Sequence, residues 1–183
     1  VSNCTTSTHD ESSFEQANRN ALTSCGESLW DVSQKSKILL IFVRHAGCTF
    51  CRETLSELKR ELPALQKISI IPVVVHMGSV QQGQAMLERA GLRDTLQISD
   101  PGRSLYRAYE LNRGRLTQLL GPSVLWKGFL SAILKGHGFG RWVGDGFQLG
   151  GAFLIQSGRI LASFPAKNAA DKVPFECILE SSP

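Results

Sequence analysis

The stretch from Lys37 to Val43, KILLIFV, is continuously apolar and runs straight into a turn carrying two cysteines, RHAGCTFCRE at 44–53. A run this short and this uniformly apolar suits a strand covered on both faces, because a strand with one face in water alternates apolar and polar residues. After the cysteines, Leu55, Leu58, Leu62 and Leu65 return at helical spacing, and Pro63 is expected to end or kink that helix near Glu61. The rest of the fold has to accommodate this unit of buried strand, short turn and helix.

The alternation continues downstream. ISIIPVVVH at 68–76 reads as a second buried strand, and SVQQGQAMLERAGL at 79–92 as a helix capped by Ser79 and closing near Gly91. TLQISDP at 95–101 reads as a short strand, with Asp100 as cap and Pro101 in the first turn of a helix through Leu105, Tyr106 and Tyr109. AFLIQSGRILASF at 152–164 is two strand-like runs about Ser157 and Gly158, a hairpin signal. Between them a helix is expected in SVLWKGFLSAILK, followed by the glycine-rich GHGFGRWVGDGFQLGG. The region from Phe14 to Trp30 holds a short helix and an approach to the core, with Leu29 and Trp30 as anchors. The pattern specifies an α/β protein with a single domain over 14–183, preceded by a polar arm, VSNCTTSTHDESS, at 1–13 that is expected to be flexible.

The 20 basic residues are scattered and not interleaved with aromatics, so nothing marks a nucleic-acid surface. The longest apolar stretch, ILLIFV, is far short of the ~20 residues of a membrane span. The first residue is Val1, so a leader or initiator preceding it is expected to be missing from the sequence. Five cysteines, with only one close pair, favour a reducing, cytoplasmic setting and a special role for that pair.

A thiol attacks as thiolate, and the first turn of a helix stabilises that form through unpaired backbone N–H groups and the helix dipole. Cys48 has that position. Cys51, one turn further on, can attack a mixed disulfide on Cys48 and release it, leaving a Cys48–Cys51 bond. A zinc site needs four ligands, yet there is no second close Cys or His pair, and His45, His76 and His137 stand isolated. Packing as small apolar side chains is the third alternative. No cofactor or metal is expected. Oxidation is expected to link Cys48 to Cys51 and leave Cys4, Cys25 and Cys177 largely free, the alternative being Cys177 as a remote resolving thiol.

FVRHAGCTFCRETLSEL resembles the peroxiredoxin-like branch of the thioredoxin superfamily, the alkyl hydroperoxide reductase and thiol-specific antioxidant type, including relatives of selenoprotein L. PVVVHMGSVQQGQAMLERAGL, ISDPGRSLYRAYEL and GDGFQLGGAFLIQSGRILASF are similar to successive blocks of that family, in order, so the resemblance covers about residues 28–170. It implies a thioredoxin-like central mixed sheet with helices on both faces. The implied activity is thiol-dependent reduction of peroxides or disulfides, recycled by a thiol partner such as thioredoxin or glutathione. The approach Arg44, His45, Ala46, Gly47 differs from the proline and Thr or Ser of true peroxiredoxins, which leaves peroxide and disulfide both open as substrates. The alternative outside enzymes is a redox-sensing or interaction module gated by the Cys48–Cys51 disulfide.

Around the pair, Arg44 is the candidate to favour the Cys48 thiolate or to bind a peroxide oxygen, against an exposed arginine at a strand end. His45 is a weaker candidate proton shuttle. Arg52 and Glu53 read as a solvated helix face. Asp145 and Gln148 either approach the thiols or serve a turn, and Trp126, Phe129, Ile133 and Trp142 read as core before docking surface.

Overall fold

The structure, a computed structural model, describes residues 8–43, 49–111, 148–167 and 171–180. In chain order the elements are α1 (Thr8–Asn20), α2 (Leu29–Lys35), β1 (Lys37–Phe42), α3 (Thr49–Lys67), β2 (Ile70–His76), α4 (Val80–Ala90), β3 (Leu96–Ser99), α5 (Ser104–Ala108), β4 (Gly151–Gln156), β5 (Arg159–Pro165) and α6 (Phe175–Glu180). The expected helix in SVLWKGFLSAILK, the four aromatic and aliphatic residues singled out there and Asp145 lie outside the described residues.

The continuous apolar run forms the middle of the sheet. Strand order is β3-β2-β1-β4-β5, with β1 parallel to β2, β2 parallel to β3, and β4 antiparallel to both β1 and β5. Side chains alternate across a strand. Leu39 and Ile41 of β1 therefore enter one core with Leu55, Leu58 and Leu65 of α3, Met86 and Leu87 of α4, and Phe175 and Ile178 of α6. Ile38, Leu40 and Phe42 enter the opposite core with Leu29 and Val32 of α2 and Leu105 and Tyr106 of α5. Both faces of β1 are dry, as KILLIFV requires, and the mixed sheet with helices on both faces is the expected architecture.

Several local expectations hold for their stated reasons. The Ser79 hydroxyl accepts from the Gln82 N–H while the Gln82 side chain accepts from the Ser79 N–H, and Gly91 closes α4. Ser157 and Gly158 both take positive φ, 51° and 73°, in the two-residue hairpin loop, and Gly158 packs so closely on the Trp30 ring that a Cβ would collide with it. Leu29 is buried, whereas Trp30 is half-buried with the Arg19 guanidinium 4.4 Å above its ring.

Others are corrected. α3 runs unbroken through Pro63 to Lys67. Pro63 and Lys59, the residue whose carbonyl loses its partner, are both exposed, so the missing bond falls on the solvent side of the helix while Leu62 and Leu65 keep the helix on the core. Pro101 lies in a turn before α5, not within its first turn, although Asp100 does cap it, accepting from the N–H groups of Ser104, Leu105 and Tyr106. α1 begins at Thr8, inside the stretch expected to be an arm, and is tied to α5 by the Tyr109 hydroxyl donating to Asn18 Oδ1 at 2.8 Å.

Candidate functional site

β1 delivers the chain to the site. Beyond Phe42, the Val43 N–H still donates to the Val75 carbonyl at 2.9 Å, so parallel pairing with β2 persists to Val43. The Val43 carbonyl is held from below by Tyr106. That hydroxyl, fully buried, donates to Val43 O at 2.5 Å and lies 3.2 Å from Val75 O. Burial, with smaller contributions from the charges of Cys51 and Asp100, pushes the Tyr106 phenol well above its ordinary pKa, so it acts as a neutral donor.

Residues 44–48, and with them Arg44, His45 and Cys48, lie outside the described residues. α3 starts at Thr49, and Cys51 stands in its first turn, 5% exposed, packed in the core that contains Leu39, Ile41 and Leu55. Cys51 is buried, while the expected depth of one turn relative to Cys48 falls outside the described residues. A cleft of about 490 Å³ opens onto Cys51. Its apolar walls are Phe42, Val43, Phe164 and Val173, and Thr54, Ser163 and Lys172 supply polar groups. Gly150 helps to shape its floor: a Cβ there would strike the Phe42 carbonyl, so only glycine lets the start of β4 lie this close to the end of β1.

The third wall comes from the segment after β5. Ala166 N–H donates to Gly150 O at 3.1 Å, and Lys167 N–H to the Asp171 carboxylate at 2.7 Å. Lys172 then reaches α3, where its ammonium meets Glu57 at 2.5 Å and Glu53 at 2.9 Å. The hydrogen bond to Glu57 leads, with that to Glu53 behind it, in raising the Lys172 pKa above the ordinary lysine value. Glu53 is thus not on a solvated face: it is 7% exposed, and Glu57 9%. The sequence shows the two acids one helical turn apart beside the leucine stripe, but Lys172 is too remote in the chain to be paired with them by any local rule.

Other candidates are placed elsewhere. Gln148 is buried, its amide donating to Leu111 O at 2.7 Å, and it does not line the cleft. His76 is buried beside Gln97, with Nε2 2.8 Å from Oε1, and burial lowers its pKa. Cys25 and Cys177 are exposed, Cys25 in the connection between α1 and α2 and Cys177 on α6. Among the described residues no group of three His, Cys, Asp or Glu side chains is arranged to hold a metal ion, and no helix is long and apolar enough to cross a membrane.

Comparison with known proteins adds four observations. A family profile described as AhpC/TSA antioxidant enzyme matches residues 57–168, a span that begins beyond both cysteines of the motif. Peroxiredoxin-like 2A of Gallus gallus is 30% identical over 161 residues, covering 84% of this chain and 66% of the relative, so the chain spans about two thirds of its length. Prostamide/prostaglandin F synthase of Salmo salar is 28% identical over 158 residues, covering 83% of this chain and 76% of the relative. Among solved structures, peroxiredoxin Q of Xanthomonas campestris superposes with a TM-score of 0.62 at 15% identity, covering 91% of each chain, which is a likeness of fold.

Proposed function

The chain belongs to the AhpC/TSA antioxidant enzyme family, and from that premise we propose that it is a thiol-dependent oxidoreductase reducing peroxides or disulfides through Cys48 and Cys51. The observation that carries this reading is Cys51 itself: a thiol in the first turn of α3, nearly buried yet facing a cleft of about 490 Å³, one turn after a second cysteine in the sequence. A buried cysteine with a purely packing role needs no cleft.

With a peroxide, the Cys48 thiolate attacks one oxygen of the O–O bond. The Cys48 sulfenic acid forms, and the other oxygen leaves as alkoxide and takes a proton to become the alcohol. Cys51 then attacks the Cys48 sulfur and expels water, giving the Cys48–Cys51 disulfide. With a disulfide substrate, Cys48 forms a mixed disulfide, which Cys51 resolves by expelling the second substrate thiol. In either case two electrons from an external thiol, such as thioredoxin or glutathione, restore both cysteines. Arg44, four residues before Cys48, favours the thiolate or receives the peroxide oxygen. The setting that suits this chemistry is the cytoplasm.

The resemblance to an enzyme named for prostamide and prostaglandin F synthesis, together with the apolar walls Phe42, Val43 and Phe164, favours organic peroxides over hydrogen peroxide. The test is steady-state consumption of hydrogen peroxide, an organic hydroperoxide and a model disulfide, each with glutathione or thioredoxin as donor. Repeated turnover that disappears in Cys48→Ser supports the oxidoreductase. A single stoichiometric oxidation without turnover would instead mark a redox-sensing module gated by the disulfide.

A further inference from the structure

At the end of the sheet lies a phenol that the thiol chemistry does not use. Tyr106 is fully buried, its ring in the core on the α5 side with Phe42, and its hydroxyl reaches the C-terminal ends of β1 and β2, donating to Val43 O at 2.5 Å and lying 3.2 Å from Val75 O. The Val43 side chain belongs to the opposite core. It is 2% exposed on the α3 side, in the core that also contains Cys51, and the two residues line the same cleft. The Val43 N–H donates to Val75 O at 2.9 Å, so with the phenol in place both of its main-chain groups are tied to neighbouring elements. A negative charge on Cys51 is one of the influences that raise the Tyr106 phenol, which places the two groups within electrostatic reach of each other.

A buried carbonyl that loses its donor either stays unsatisfied at a cost or turns toward water. For Val43 the opening that it lines is the cleft. We propose that Tyr106 is a positioning residue for Cys51: by holding Val43 O it keeps the Val43 side chain in the wall of the cleft, and so limits attack on Cys51 by reagents from solution. This rests on the reading of Cys51 as the resolving thiol. A resolver shielded in this way stays reduced until the sulfur of Cys48 is oxidised and needs it.

The test reads access rather than turnover. In the full chain carrying Cys48→Ser, so that Cys51 has no disulfide partner at Cys48, iodoacetamide alkylation of each cysteine is followed by peptide mass spectrometry, with exposed Cys25 as the internal reference. Adding Tyr106→Phe is expected to raise the Cys51 rate about tenfold, equivalent to about 1.4 kcal/mol of lost restraint on Val43. Cys25 should not change. Tyr109→Phe is the control for stability alone, since it too removes a buried hydroxyl, but one that donates to Asn18 Oδ1 of α1 at 2.8 Å. It should raise the Cys51 rate by no more than about twofold. Val43→Ala, which removes the shielding side chain and leaves the phenol in place, should give a rise comparable to that of Tyr106→Phe, and combining the two should add little, because both act through Val43. The proposal is overturned if Tyr106→Phe leaves the Cys51 rate at the parent level, if Tyr109→Phe raises it as much, if Cys25 shares the rise, or if the effects of Tyr106→Phe and Val43→Ala multiply. A parent-level rate in Val43→Ala overturns it as well, whether or not Tyr106→Phe folds. Every variant keeps Cys51, so a chain without turnover fails the oxidoreductase reading and still tests the phenol, whereas turnover with an unmoved Cys51 rate fails the phenol alone.

Discussion

At the scale of single residues, Tyr106 has one hydroxyl proton and two carbonyl oxygens in reach, and the two are not equivalent. Val75 O also accepts from the Val43 N–H, whereas Tyr106 is the donor that Val43 O meets at 2.5 Å. Tyr106→Phe keeps the ring and its edge contact with Phe42, at 5.0 Å between centroids, but strips the donor from a buried carbonyl just beyond the end of β1. The expected loss is about 1–3 kcal/mol of stability, read from urea unfolding, and an unchanged midpoint would show that the hydroxyl holds nothing. A second prediction follows from the proposed order of attack. Cys51→Ser should accumulate a sulfenic acid or mixed disulfide on Cys48, visible as an added mass on the intact protein, because the attack that clears it is gone. If Cys48→Ser stays active while Cys51→Ser loses activity without trapping anything, the roles are reversed. Cys51 was legible because a CxxC at a strand-to-helix turn is a local pattern. Tyr106 and Lys172 were not, since what makes them matter is a partner 63 residues away in one case and 115 in the other.

At the scale of elements, α3 shows how far a local rule can be overridden. Proline in a helix interior costs about 3 kcal/mol relative to alanine, and the sequence alone argued for an end or a kink near Glu61. The leucine stripe decides otherwise: Leu55, Leu58 and Leu65 are buried and Leu62 is packed against the same core, so breaking the helix at Pro63 would pull Leu65 out of it. Burying one such side chain is worth roughly 1.5–3 kcal/mol, which matches the cost of the proline. Pro63→Ala should therefore stabilise the protein. The gain is expected to be about 1–2 kcal/mol, less than the full helix penalty because proline also restricts the unfolded chain, and a higher urea midpoint with unchanged slope would show it. A lower midpoint would mean that the ring makes a contact worth more than the missing hydrogen bond. Helices with local signatures, such as α4 between Ser79 and Gly91, were readable to the residue. α5 was not: Arg103, with φ 58°, sets its start, and a non-glycine in that conformation follows from tertiary constraint rather than from propensity.

At the scale of the whole molecule, the apolar character of β1 and β2 announced a sheet covered on both faces, but periodicity has no means of ordering strands. The order β3-β2-β1-β4-β5 depends on pairings such as Ile38 with Ile155 that no local pattern contains; the family resemblance implied a central mixed sheet, without an order for its strands. His76 joins three of these elements. It sits at the end of β2, hydrogen-bonds Gln97 of β3, and lies so close to Gly83 of α4 that a Cβ there would overlap its ring. Burial lowers its pKa from the ordinary 6.5, against the opposing influence of the bonds to Gln97 and Gly78. The unfolded chain therefore binds the proton at a higher pH than the fold does. Stability from this group is fully present above about pH 6.5 and is lost as pH falls through that value toward the lower folded pKa, at no more than about 1.4 kcal/mol per pH unit. Carboxylates of ordinary pKa, near 4, contribute little between about pH 7.5 and about pH 5.5, so that window isolates histidine titration. Urea midpoints at its two ends should fall with acid in the parent and fall less in His76→Gln, where the titrating ring is gone. The comparison of slopes removes whatever the substitution costs at neutral pH and whatever the other histidines contribute to both proteins. Equal losses in parent and variant would show that His76 takes up its proton in the folded state as easily as in the unfolded one, and that the junction of β2, β3 and α4 tolerates the charge.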